Sequence, residues 1–189
     1  MEIGAVVAVQ GTVKAQREGE EEELLGRGAP IFLHDLINVA EDSRAQLKLT
    51  DGSLLNLIPE TLYRIDTYVF KRSKEEDQFG AELMKGGLRG ITGSIAKVNP
   101  AGVSIKTPTA TMGLRGTIFE VMIQDNRTYF GCESGEISVS NKAGLVFLGP
   151  YVERQFGVVL SDKQQPQTLA KRPDALNLNK FIPPRGGCQ

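Results

Sequence analysis

Few residues of this chain have the types and spacing that covalent chemistry requires. His34 and Asp35 stand side by side, but no second histidine is present, and a strand boundary would send adjacent side chains to opposite faces. A turn or solvated strand edge is their expected role, in place of a metal site. Glu75, Glu76 and Asp77 form a row of carboxylates, whereas acid/base work on a bond needs opposed groups, so solvation or helix capping is expected of them. Ser53 follows Gly52 without the Gly-x-Ser-x-Gly elbow of a nucleophile. The glycines from Gly86 to Gly93, with Gly113 and Gly116, offer backbone amides to an anion but complete neither the dinucleotide fingerprint nor a phosphate loop. No catalytic residue, metal or cofactor is therefore assigned. A hydrolase assembled from dispersed Ser, Asp and His residues stands as the third of three functional readings.

Recognition is better served. Arg89 and Arg115 each sit between glycines and carry the planar donor fork that pairs with carboxylates, either a partner's or those of the same fold. Thr109 and Thr111 lie just before Arg115, and these four residues are the candidate partner-binding set. Tyr63, Tyr68, Phe70, Phe119, Tyr129 and Phe130 have strand spacing, which suits a β core and, as a second reading, a sugar-binding groove. Asn126-Arg127-Thr128 matches a glycosylation sequon, but an unmodified turn is expected there.

The elements that must position these residues are short strands. Leu47 and Leu49 alternate with Gln46, Lys48 and Thr50, and Asp51-Gly52 supplies a hairpin turn before Leu55 and Leu57. Thr117, Phe119, Val121 and Ile123 face one way while Glu120 and Gln124 face the other. Ile118 and Met122 on that second side predict contact with another layer. Ser73 to Glu76 has capping-box spacing, so a short helix carrying Phe79, Leu83 and Met84, or an irregular excursion, is expected, limited by Gly80 and Gly86-Gly87. Leu88 to Ile95 has strand-like composition. The cadence predicts an all-β fold, a β-roll or β-solenoid-like sheet, with a curved β-sandwich as the alternative. Residues 1–160 form the β domain, and residues 161–189 form a tail that wraps the domain or is partly disordered, with Phe181 and Ile182 as possible anchors.

Composition narrows the partners. The 22 Lys/Arg and 23 Asp/Glu residues nearly cancel, which removes the broad positive field that nucleic-acid binding needs. The acidic run Glu20 to Glu23 is flanked by Arg17 and Arg27 and reads as a solvated turn. Cys132 and Cys188 are read as two separate thiols, with a bridge as the alternative. No apolar run is long enough to cross a bilayer, and the N-terminus lacks the pattern of an export signal.

Four segments in order resemble the FecR domain family. They are Val9 to Val13, Leu47 to Ser53, Leu88 to Gly93, and Thr107 to Thr117 with its Gly113-Leu114-Arg115-Gly116-Thr117 ending. Glu133 to Val139 continues the likeness, which runs roughly from Ile3 to Val139. The resemblance implies a β module of the bacterial envelope without enzymatic activity. In membrane-anchored relatives that module takes a signal from a transport receptor and relays it to an anti-sigma segment. For this chain it implies an interaction module with an envelope or secreted protein as partner, and a glycan as the alternative ligand. It also implies a periplasmic or secreted location, given a removed export signal, with the cytoplasm as the alternative.

Overall fold

The computed structural model describes residues 1–178. The first strands are β1 (Glu2–Gln10), β2 (Val13–Gln16), β3 (Glu23–Leu24), β4 (Pro30–Phe32), β5 (Leu36–Val39) and β6 (Arg44–Leu49). Next come β7 (Leu54–Leu57), β8 (Leu62–Val69), β9 (Gln78–Lys85) and β10 (Gly87–Ile91), then a short helix α1 (Ser94–Val98) and β11 (Val103–Lys106). The chain continues through β12 (Thr111–Gln124), β13 (Arg127–Asn141), β14 (Gly144–Leu148), β15 (Phe156–Val159) and β16 (Gln167–Leu169).

One hydrogen-bonded ladder joins all of these strands, in the order β3-β2-β5-β8-β9-β11-β12-β10-β7-β6-β1-β4, with β13 to β16 branching from β12. The branch explains the shape. β12 pairs β11 through Thr111 to Gly113 and β10 through Ile118 to Met122, and on its other side it pairs β13 along both halves. The long β12–β13 hairpin thus belongs to two wings of sheet at once. Side chains from both wings, among them Ile37, Tyr63, Leu83 and Met112 from one and Leu47, Leu55, Leu88 and Val121 from the other, form one continuous core. The fold is an all-β curled sheet, folded over on itself like a roll or curved sandwich.

The hairpin changes wing where its register breaks, between Arg115 and Phe119. Gly116 (φ 59°) and Gly135 (φ 79°) face this break, both in the left-handed region that glycine enters at little cost. Gly135 has a second requirement. A Cβ there would stand 2.3 Å from the Gly116 carbonyl oxygen and 2.8 Å from that of Arg115, so the two backbones can approach only without a side chain.

Two sequence expectations change. The segment after Ser73 is a strand, not a helix: Phe79, Ala81 and Leu83 of β9 are buried at a period of two, and Met84 lies off that face. Asp77, rather than a helix cap, organises the preceding loop by accepting the Lys71 and Ser73 amides at 2.7 and 3.1 Å. Long-range pairing with β8 and β11 outweighs the local capping signal. Conversely, the strand expected up to Ile95 ends at Ile91, because Ser94 opens α1.

Residues 161–178 lie along the body. β16 pairs β15, while Leu176 and Leu178 are fully buried. Phe181, Ile182 and Cys188 fall outside the described residues. This C-terminal segment also settles where Glu120 points. On alternation it faces away from Phe119 and Val121, yet it is only 4% exposed, because Arg172 covers it with an ion pair at 2.5 Å and also donates to the Leu176 carbonyl at 2.7 Å. Burial pushes the Glu120 carboxyl above the usual carboxylate range, against the opposing pull of Arg172 and Arg89.

Candidate functional site

Two of the family-like segments found in the sequence, Leu47 to Ser53 and Leu88 to Gly93, meet at the Asp51-Gly52-Ser53 turn. Asp51 is buried. Its Oδ1 accepts the Ser53 amide and its Oδ2 the Ser53 hydroxyl, each at 3.0 Å, while its carbonyl accepts the Ser94 amide at 2.8 Å. The Gly93 amide in turn donates to Ser53 Oγ at 2.8 Å, and the Asp51 amide donates to the Tyr68 hydroxyl oxygen at 2.8 Å. Ser53 is therefore part of a closed internal network that fixes the turn to the start of α1. It is not poised as a nucleophile.

Other groups with chemical potential are similarly engaged. Asp35 accepts from Arg17 Nε and the Phe32 amide, both at 2.8 Å, and His34 occupies a left-handed turn (φ 72°). Among the described residues, no three His, Cys, Asp or Glu side chains gather as metal ligands. Glu20 and Glu22 of the acidic run pair with Arg17 and Lys14 on the surface. Cys132 is 1% exposed, its thiol donates to the Ser134 carbonyl at 3.3 Å, and burial pushes its pKa up to about 11. We expect Cys132 to resist iodoacetamide at mildly alkaline pH in the native protein and to react after denaturation, as peptide mass spectrometry would show. Rapid labelling of the folded chain would contradict the burial.

The aromatic residues divide. Tyr63, Tyr68, Phe119 and Phe130 are buried in the core, and Phe70 and Tyr129 are half-buried. The Tyr63 hydroxyl is buried without a hydrogen-bond partner among the described residues, and its burial raises its pKa. The four buried rings pack the sheet.

The four candidate recognition residues separate in the same way. Arg89 pairs with Glu133 at 2.7 Å, and its side chain is only 16% exposed. Thr109 is buried, with its hydroxyl 2.6 Å from that of Thr128. Arg115 and Thr111, by contrast, lie on the outer face of β12 and open onto a single groove of about 480 Å³. Arg115 makes no ion pair among the described residues and sits across the ladder from Glu136.

Period-two placement builds this groove. Met112 and Leu114 point into the core, so Thr111, Gly113 and Arg115 point out. In register beside them, Ser138 and Ser140 of β13 and Ser104 of β11 complete a floor of small polar side chains. Pro100 and Ala101 stand at one margin and Phe147 of β14 at the other. A second hollow of about 240 Å³ adjoins through Arg115 and Glu136 and is walled by Tyr151, which is 92% exposed. Phe147 and Tyr151 were missing from the sequence-derived set. Phe147 has the composition of a core position in the sequence, and among the described residues no layer covers it or Tyr151.

This arrangement is a curled sheet of the all-β class with an open polar floor and apolar margins on one face. The model of the family described as FecR protein matches residues 35–138, more than half of the chain, and the protein belongs to that family. Two crystal structures of a candidate anti-sigma factor from Parabacteroides distasonis share the fold. Each has a TM-score of 0.55 and covers 75% of this chain, at 19% and 18% identity. This chain spans 61% of the length of that protein. No curated protein matches the chain. No helix among the described residues is long and apolar enough to cross a membrane.

Proposed function

We propose that this chain receives a protein partner of the bacterial envelope or the secreted space on the outer face of β11 to β14, and that occupation of the face is a signalling or assembly event. The carrying observation is that Arg115 and Thr111 open together onto the groove, with the guanidinium free of ion pairs among the described residues. A planar fork beside a polar floor recognises a carboxylate and the backbone of an extended segment at the same time. Phe147 and Tyr151 supply the apolar and aromatic area that anchors most interfaces. A signalling role in an anti-sigma system is the form suggested by the similar Parabacteroides distasonis protein.

The test is in vitro binding by calorimetry with partners crosslinked to the full chain in envelope extracts. Arg115→Ala is expected to weaken binding by about tenfold or more, and Thr111→Trp, which fills the groove, to abolish it. Lys48→Ala, an exposed residue of β6 three strands along the sheet from β12, should leave it unchanged. Unaltered affinity in both groove variants, with melting curves like the parent's, would remove this face from the interface. A glycan array on the same protein distinguishes the sugar reading, since a saturable glycan signal lost in Thr111→Trp would make the groove a carbohydrate site.

A further inference from the structure

Among the described residues, strand β14 pairs with β13 and with no other strand, so alternate backbone N–H and C=O groups along its outer edge have no ladder partner. Sheet edges are commonly protected by a charge, a proline or a bulge, and Gly144-Leu145-Val146-Phe147-Leu148 has none of these within it. Leu145 and Phe147 are each 50% exposed, and with nearby Tyr151 they account for most of the large apolar side chains standing in solvent. Gln165 packs against Gly144, but at the position where a Cβ would point, on the inward face shared by Val146 and Leu148. Neither that contact nor the neighbouring β16 pairs with the edge, which has no strand partner among the described residues.

We propose that β14 is a dimerisation strand, pairing antiparallel with the β14 of a second copy about a two-fold axis at Val146. The sequence of the strand selects this occupant. In that register Leu145 of each copy lies opposite Phe147 of the other, so both half-exposed side chains gain an apolar cross-strand neighbour on the same face. No charge lies within the paired segment, and none is set opposite a like charge. The pairing is therefore complementary to itself in shape pattern, with no like charges opposed, as a two-fold interface requires. It would join the groove floors of the two copies into one continuous sheet face. A single five-residue strand pair is a small contact, so the association is weak and concentration-dependent.

The experiment measures the mass of the full chain by sedimentation equilibrium across micromolar concentrations, and it tests the register by charge exchange. The parent chain should move from the chain mass toward twice that mass as concentration rises. The variant with Leu145→Lys and Phe147→Lys places like charges opposite each other and should stay at the chain mass. The variant with Leu145→Glu and Phe147→Lys places opposite charges together across the two-fold and should recover the dimer. Both positions are half exposed, so thermal melts should confirm that the variants fold. A parent chain that remains monomeric throughout would overturn the proposal, and so would a glutamate/lysine variant as monomeric as the lysine pair. Arg115→Ala leaves β14 intact, so loss of partner binding in that variant with the dimer retained separates the two surfaces.

Discussion

Replacing Gly135 by alanine is expected to destabilise the protein by about 3 kcal/mol, whereas the same change at Gly116 should cost about 1 kcal/mol. Both residues have positive φ, so both variants carry the strain of a left-handed alanine. Only Gly135 adds a collision. Its new Cβ would meet the Gly116 carbonyl oxygen at 2.3 Å, and that atom belongs to the backbone and cannot rotate away, while nothing lies within 4 Å of a Cβ at Gly116. The collision sits where β12 and β13 leave one wing for the other, so relief would require the wings to shift across their common core. At this chain length the Gly135→Ala midpoint should fall by roughly 10 °C, a clear separation from Gly116→Ala by calorimetry. Equal midpoints for the two variants would show that the hairpin crossing relaxes freely and does not hold the wings in place.

The second large effect is expected at Asp51. Asp51→Ala removes the acceptors of the Ser53 amide and hydroxyl and leaves them in a buried turn with no replacement. Each orphaned buried donor costs about 1–3 kcal/mol, so a total near 3 kcal/mol is expected. Asp51→Asn retains one carbonyl acceptor and should lie between alanine and the parent. A change at Gly93 should reproduce part of the loss from the other side of the contact. A Cβ there would meet Asp51 O and Ser53 N, both at 2.5 Å, although the Gly93 backbone (φ −93°) has no left-handed strain. Urea denaturation of Asp51→Ala, Asp51→Asn and Gly93→Ala would measure the series. If all three matched the parent, the turn would not be the tie between β6–β7 and α1 that its hydrogen bonds describe.

The two effects explain why the family-like segments recur where they do. Leu47 to Ser53 and Leu88 to Gly93 are far apart in the chain, but Ser53 Oγ receives the Gly93 amide and Asp51 O receives that of Ser94. The Gly113 to Thr117 segment crosses between the wings, and Thr117 receives a further tie from Thr92, whose hydroxyl oxygen accepts the Thr117 amide at 2.8 Å. Gly93 is a requirement of backbone approach, and Asp51 is required by the hydrogen bonds it accepts from Ser53. Arg115 is the exception in that segment, since its side chain points away from the core and makes no ion pair among the described residues.

Alternation was legible wherever a strand has one face in the core: Leu47, Leu49, Leu55 and Leu57 are buried as their spacing requires, and so are Phe119 and Val121. The helix expected after Ser73 was misread because capping spacing is a local signal, while β9 is held by partners distant in the sequence. Exposure could not be read where it depends on what covers a strand from outside. Leu145 and Phe147 have the composition of core residues, and Glu120 has that of a surface residue, yet the first two stand in solvent and the third lies under Arg172.

The amino-acid order by itself determined the all-β class, the turn positions and the family, because side-chain period and glycine placement act within a few residues. The tertiary structure alone decided which of Arg89, Arg115, Thr109 and Thr111 are free to meet a partner. Availability depends on which strands come to lie alongside, and that is set by contacts between residues tens of positions apart, such as Arg89 with Glu133 and Thr109 with Thr128.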